Sequence, residues 1–273
     1  MTLATLARRS GALAMLAMDQ RESLRMLFQR ALSASVPGSV LVDFKLAVAE
    51  ELSPYASAML LDTEFGAVAM PRVRTALIVA ADALEYSEPG VVADTRFDRA
   101  ALAGTTAVAA KLLVVWRHDG QRLRRVGMTR EFVRAAHAAG LLAVVEGVVR
   151  RDDDELLLEA ARELTATQPD VYKTEVPGFG KASLEDMVRR CEGLTNAINV
   201  PWVVLSAGVE VEDFPRAVEA ACRGGASGFL AGRAIWSDAV GAPDVRAALR
   251  ERALPRLERL GEIVDRYARQ RVR

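Results

Sequence analysis

Among 36 basic side chains the sequence carries only four lysines: Lys45, Lys111, Lys173 and Lys181. Arginine supplies the generic surface charge. A position that is still lysine is therefore a candidate for chemistry arginine cannot do, namely losing a proton and attacking a carbonyl carbon. Lys111 in "AVAAKLLVVW" and Lys173 in "DVYKTEVPGFG" both sit inside apolar, strand-like stretches. An amine in a dry pocket beside another cation has a lowered pKa and becomes a nucleophile toward a ketone, the first step of Schiff-base catalysis. Glu146 in "LLAVVEGVV" lies one strand away and suits a general acid and base. The residues themselves do not choose between Lys111 and Lys173. His118 and His137 stand in no ligand spacing, and neither do Cys191 and Cys222. The zinc route to the same reaction thus lacks its parts, and no cofactor is expected.

These side chains need a scaffold that gathers strand ends. Eight apolar runs, at 13–18, 56–62, 76–82, 109–116, 141–149, 170–175, 202–208 and 227–232, alternate with helical patterns such as "SVLVDFKLAVAEEL", "TREFVRAAHAAG" and "DELLLEAARELTA". The runs are continuous rather than alternating, as expected for strands buried on both faces. Gly140 and Gly224 are placed to close two of the helices. Repeated strand–helix units imply a parallel sheet. Eight of them predict an α/β fold, a closed (β/α)8 TIM barrel, spanning 1–273 as one domain. The stretch 244–270 reads as an extra amphipathic C-terminal helix, interrupted near Pro255. No GxGxxG follows the first run, which argues against an open doubly wound sheet.

In such a barrel the chemistry sits at the C-terminal ends of the strands. Those ends carry Asp19, Asp62, Asp82, Glu146, Lys173 with Glu175, Ser206 and Arg233, with Lys111 pointing in from lower on its strand. Opposite charges converging on one mouth compensate each other's burial. Asp62 and Asp82 read equally well as caps of the helices that follow. Asp19 opens "DQRESL" and could combine a capping role with a site role. "LSAGV" and "LAGRAIW" put Gly208 and Gly232 at strand ends that lead into helices. Glycine admits close backbone approach, helix N-termini offer free amides to phosphate, and Arg233 adds a bidentate clamp. Together these suggest a phosphorylated small molecule as substrate.

Formal net charge is zero, which argues against a nucleic-acid footprint. The arginine-dense stretch 117–134 reads as a solvated helix face. The mildly apolar N-terminus is interrupted by Arg8 and Arg9 and stopped by Asp19, so it lacks the run that a signal peptide or membrane span needs. Two cysteines without a framework make the reducing cytoplasm the expected compartment. Barrels of this kind usually associate, so a homo-oligomer is expected.

"AMLAMDQRESLRMLF", "EELSPYASAMLLD", "KLLVVWR", "DVYKTEVP", "WVVLSAGV" and "GASGFLAGRAIW" together resemble the class I aldolases related to tagatose-bisphosphate aldolase. They resemble most closely the sulfofructosephosphate aldolases of sulfoquinovose degradation. The resemblance runs from about residue 10 to the C-terminal helix, with the motifs in family order. It implies Lys173 as the Schiff-base lysine, Glu146 as the acid–base carboxylate, Asp19 as a substrate-orienting carboxylate and Lys111 as a second active-site lysine. It implies Ser206, Gly208, Gly232 and Arg233 as phosphate-binding residues. The reaction it implies is cleavage of 6-deoxy-6-sulfofructose 1-phosphate to dihydroxyacetone phosphate and 3-sulfolactaldehyde. For the sulfonate, Gln20, Arg21, Ser57 and Lys45 are candidates by placement near the mouth, although Lys45 and Arg21 read slightly better as helix-surface charges. The loop in "EGVVRRDDDE" is shorter than the family pattern, which puts substrate contacts from it in doubt. A tagatose- or fructose-bisphosphate aldolase, a phosphosugar isomerase and a non-catalytic sugar-phosphate sensor are the alternatives.

Overall fold

A computed structural model describes residues 1–268. Eight parallel strands close into a barrel. In chain order these are β1 (Leu13–Met18), β2 (Ala58–Leu61), β3 (Ala76–Ala80), β6 (Ala109–Val115), β7 (Leu142–Val148), β8 (Val171–Thr174), β9 (Trp202–Val204) and β10 (Gly228–Ala231). An antiparallel hairpin, β4 (Asp82–Glu88) and β5 (Val91–Phe97), is inserted between β3 and β6. All eight expected runs form barrel strands. They end short of the apolar run wherever the chain leaves its partners; at β9 pairing stops at Val204, while the predicted run continues to Gly208.

The barrel interior follows the period of two. Leu13, Met15 and Ala17 of β1, Leu142 and Val144 of β7, and Val171, Val203 and Leu230 of the last strands fill its lower part. The alternate residues face the helices and join a larger apolar shell. Trp202 and Trp236 belong to that shell, with Phe44 packing edge-on against Trp236 at 5.6 Å. The helices are α1 (Glu22–Leu32), α2 (Gly38–Leu52), α3 (Arg122–Ala138), α4 (Asp154–Thr165), α5 (Leu184–Ala197), α6 (Phe214–Arg223), the short α7 (Arg233–Trp236) and α8 (Val245–Ala248), and α9 (Leu254–Tyr267). A π-turn, Leu249–Ala253, separates α8 from α9, with Pro255 in the first turn of α9 where its missing N–H costs nothing. Two residues of the predicted C-terminal helix, 269 and 270, lie outside the described residues. α9 lies against α6, α2 and β1, and Arg8 ties it to the barrel base through Asp265 at 2.9 Å.

Two crossovers depart from the strand–helix pattern. Between β2 and β3 there is only a 3-10 turn, Met70–Arg72. Between β3 and β6 lies the hairpin, whose turn is Pro89-Gly90 with Gly90 at φ 77°. The arginines of 117–134 are not simply a solvated face. Arg125 is fully buried and donates to Asp119 at 2.6 Å and to Asp94 at 3.1 Å; Arg124 donates to the same Asp94 at 2.8 Å. They pin β5 to α3. Gly140 closes α3 in the left-handed region at φ 75°. Gly224 caps α6 in an ordinary conformation and is needed instead for its close approach to Cys191.

Candidate active site

In β8 the alternation turns Tyr172 and Thr174 outward and brings Lys173 and Glu175 to the mouth. Lys173 is the register partner of Glu146 on β7, so the backbone pairing itself sets the two side chains beside each other. Lys173 Nζ donates to Glu146 Oε2 at 2.9 Å, and both residues are buried. Lys111, two residues into its strand from Ala109, reaches up between three carboxylates: Asp19 at 2.5 Å, Asp82 at 2.7 Å and the same Glu146 oxygen at 3.4 Å. Burial works against the Lys111 charge, but Asp19, Asp82 and Glu146 outweigh it and hold the ammonium's pKa well above the usual lysine range. Burial likewise opposes ionisation of Asp19. Lys111, Lys173 and Lys45 overcome it and hold the carboxyl well below the usual range. Four residues expected at the site, Lys173, Glu146, Lys111 and Asp19, therefore meet in one cavity of about 440 Å³.

Behind this group the alternation of charge continues. Arg21 donates to the Asp82 carbonyl at 2.8 Å and to its carboxylate at 3.2 Å. Lys45 pairs with Asp62 and donates to the carbonyls of Met18 at 2.8 Å and Gln20 at 2.7 Å. Neither cation is a helix-surface charge, because both are buried. Lys45 is fully committed and does not reach the cavity, whereas Arg21 and Gln20 line it. Gln20 Oε1 is buried there without a partner. Ser57 is misplaced by the sequence reading. It precedes β2, accepts from Ala14 N–H at 3.0 Å and lines a hollow at the opposite, N-terminal end of the barrel. Asp62 accepts the Phe65 amide at 2.7 Å in the loop after β2, and no helix follows for it to cap. Asp19 does not cap α1, whose N-cap residue is Arg21 without a side-chain bond.

At the other side of the mouth, Ala207, Gly208 and Arg233 line the cavity. Gly208 sits at φ 79° with the Phe179 ring packed where a side chain would stand. Gly232 lies so close to the Ala17 carbonyl that a Cβ would overlap it. Ser206 is buried beneath, its Oγ 3.5 Å from the Ala234 amide, and it does not line the cavity. Arg233 is exposed to the cavity and, among the described residues, its guanidinium has no hydrogen-bond or ion-pair partner.

Two contributions went unread in the sequence, and a third, Asp82, stood equally between site and cap. Asp82 is the central carboxylate of the charged group rather than a cap; it also accepts the Leu113 amide at 3.1 Å. The hairpin forms one wall, with Leu84, Tyr86 and Val92 over the mouth and Val92 packed against Leu113, Val115, Val148 and Leu205. Its sequence signal was the Pro89-Gly90 pair followed by Val91 and Val92. The short loop after β7, whose substrate contacts were in doubt from the sequence, supplies Arg150 to the cavity. Arg150 stands at φ 58°, and Glu175 accepts the amides of Val149 at 2.7 Å and Arg150 at 3.1 Å. Burial pushes the Glu175 pKa up, against the pull of those two amides. Among the described residues there is no cluster of three or more His, Cys, Asp or Glu arranged for a metal ion, and no helix long and apolar enough to cross a membrane.

The chain is 30% identical over 278 residues to a tagatose 1,6-diphosphate aldolase of Listeria monocytogenes serotype 4a, covering 87% of this chain and 81% of that protein. It is 27% identical over 307 residues to tagatose 1,6-diphosphate aldolase 2 of Streptococcus mutans, covering 96% and 93%. Among solved structures the fold is similar to Cgl0159 from Corynebacterium glutamicum, with a TM-score of 0.63 at 14% identity over 93% of this chain and 87% of that one. It is also similar to the YdjI aldolase from Escherichia coli K12, with a TM-score of 0.51 at 14% identity over 95% of each chain. Residues 13–238 match the family described as DeoC/LacD family aldolase. That match begins at the first residue of β1 and passes the end of β10, so it takes in the whole barrel and its charged mouth: the chain belongs to the DeoC/LacD family of aldolases and is a lyase of carbohydrate metabolism.

Proposed function

We propose that the protein is a Schiff-base aldolase that cleaves 6-deoxy-6-sulfofructose 1-phosphate into dihydroxyacetone phosphate and 3-sulfolactaldehyde. The observation that carries the Schiff-base reading is the unequal partnering of the two lysines. Lys111 is held by three carboxylates and stays an ammonium, whereas Lys173 meets one, Glu146, which can take its proton. Lys173 attacks the C2 ketone, and loss of water leaves an iminium. Glu146 takes the C4 hydroxyl proton while the C3–C4 electron pair flows into the iminium and the aldehyde departs. Protonation of the enamine carbon and hydrolysis by water release dihydroxyacetone phosphate and free the lysine. Asp19 and Lys111 hold the hydroxyl groups, and Arg233 with the amides near Gly208 takes the phosphate. Such a substrate belongs to the cytoplasm, where the charge on a sugar phosphate retains it.

The sulfonate rests on the sequence motifs shared with the sulfofructosephosphate branch. The tagatose 1,6-diphosphate aldolases at about 30% identity support a second reading, in which the far end of the ketose carries phosphate. Trapping tests the imine, and a comparison of substrates tests the terminal anion. The enzyme is incubated with dihydroxyacetone phosphate, reduced with borohydride, and its mass and modified peptide are determined; an adduct is expected on the peptide bearing Lys173. An absent adduct despite bound ligand would remove the imine and favour an isomerase or a sensor. kcat/KM for the 6-sulfo ketose should then exceed that for tagatose or fructose bisphosphate, and the reverse ratio would promote the bisphosphate reading.

A further inference from the structure

Five cations line the mouth cavity: Arg21, Lys111, Arg150, Lys173 and Arg233. Three of them are already neutralised by carboxylates within the site. An anion docking on Arg21, for example, would have to displace the Asp82 carboxylate. Arg150 and Arg233 are different. Among the described residues neither is in contact with a carboxylate, and the one side-chain bond of Arg150 goes to the carbonyl of Val92 on the hairpin. Both guanidinium groups are exposed to the cavity. A ketose with an anion at each end has two charges to place, and the cavity offers two cations not yet compensated.

Their positions sort the two ends. Arg233 follows β10. Arg150 follows β7, the strand that carries Glu146, and stands four residues beyond it. If Glu146 takes the C4 hydroxyl proton, it faces the half of the substrate that leaves as aldehyde, and Arg150 lies on that side. The backbone is also built to hold it there. Arg150 occupies the left-handed region at φ 58°, which a non-glycine residue adopts only at a cost in backbone strain. Glu175, a buried carboxylate with no task in the cleavage chemistry, accepts the two successive amides that lead into the bend. Burial lowers the pKa of Arg150; Glu175 and Glu146 offset this only in part, and Arg233 and Arg117 add to it.

We propose that Arg150 is the receptor for a terminal oxyanion, sulfonate or phosphate, on the aldehyde half of the substrate, with Glu175 as its positioning residue. This rests on the aldolase reading above. The test compares three ketose 1-phosphates that differ only at C6: fructose 1-phosphate, 6-deoxy-6-sulfofructose 1-phosphate and fructose 1,6-bisphosphate. In the wild type the C6 anion should raise kcat/KM over fructose 1-phosphate. In Arg150→Gln that advantage should fall by about 30-fold, the size expected for one charge-assisted hydrogen bond, and Arg150→Lys should recover part of it. Whichever anion loses more identifies the natural terminus. Equal losses on all three substrates, or an unchanged advantage, would overturn the proposal. If the wild type turns over none of them, it is the aldolase reading that fails. The subsite is then judged by calorimetric titration of 2,3-dihydroxypropane-1-sulfonate, for which Arg150→Gln should weaken Kd about 10-fold and an equal Kd would sink it.

Discussion

Lys111 and Lys173 carry the same group on adjacent sides of Glu146, yet their surroundings set them different tasks. Lys111 is the hub that allows Asp19, Asp82 and Glu146 to share a dry mouth. The consequence for pH follows from Asp19, whose folded-state pKa is depressed. Its contribution to stability is present above the unfolded value of 3.8 and is lost as pH falls from there through the folded value. Thermal melts of the wild type should therefore show Tm falling below pH 4, and Asp19→Asn should flatten that part of the curve; an unchanged slope would mean the pair does not act as drawn. Lys173, Glu146, Lys111 and Asp19 were legible because each interrupts or ends an apolar run. The choice between the lysines was not, because it depends on three carboxylates, Asp19, Asp82 and Glu146, from separate parts of the chain. Ser57 was misread because its distance from the first paired residue of β2, rather than its membership of the run, decides which end of the barrel it occupies.

At the scale of the element, the β7–β8 pair shows how the outer face supports the inner one. Tyr172 points away from the cavity, and its hydroxyl lies where a side chain at Gly147 would be. The glycine after Glu146 thus makes room for the tyrosine before Lys173. Gly147→Ala should destabilise the protein by about 1–3 kcal/mol, the usual size of core overpacking. Adding Tyr172→Phe should return part of it, as read by urea unfolding; a double variant no better than the single one would refute the contact. The hairpin β4–β5 marks the limit of reading elements from pattern. Its strands are polar, so they carry no long apolar run, and the arginines that pin them come from α3, far along the chain. Buried arginine looks like solvated arginine until its partner, here Asp94, is located.

The whole molecule is a closed ring, so one seam must join the first strand to the last. At that seam β10 pairs with β1 in the register Leu13 with Gly228. Gly228 has φ 146°, and any Cβ there would run into the Leu13 carbonyl. The substitution Gly228→Ala should act on the ring as a unit: a large Tm loss and early loss of the near-ultraviolet signal of Trp236, which donates to the Ala17 carbonyl on β1 at 3.0 Å, and of Trp202 on the neighbouring β9. A local effect that spares both tryptophans would show that the ring tolerates opening. The eight-strand architecture was readable because burial on both faces leaves a signature in every strand separately. Closure was not readable in the same way, since no single segment records which strand lies beside it.

The pairing of Glu146 with Lys173 has an evolutionary consequence. Their spacing belongs to the hydrogen-bonded ladder, which cannot change without rebuilding the barrel. Arg150 and the hairpin wall hang from connections that can be lengthened, shortened or exchanged while the ladder stays intact. A lineage built on this scaffold can revise which sugar it accepts one loop at a time, with the bond-breaking pair inherited unaltered.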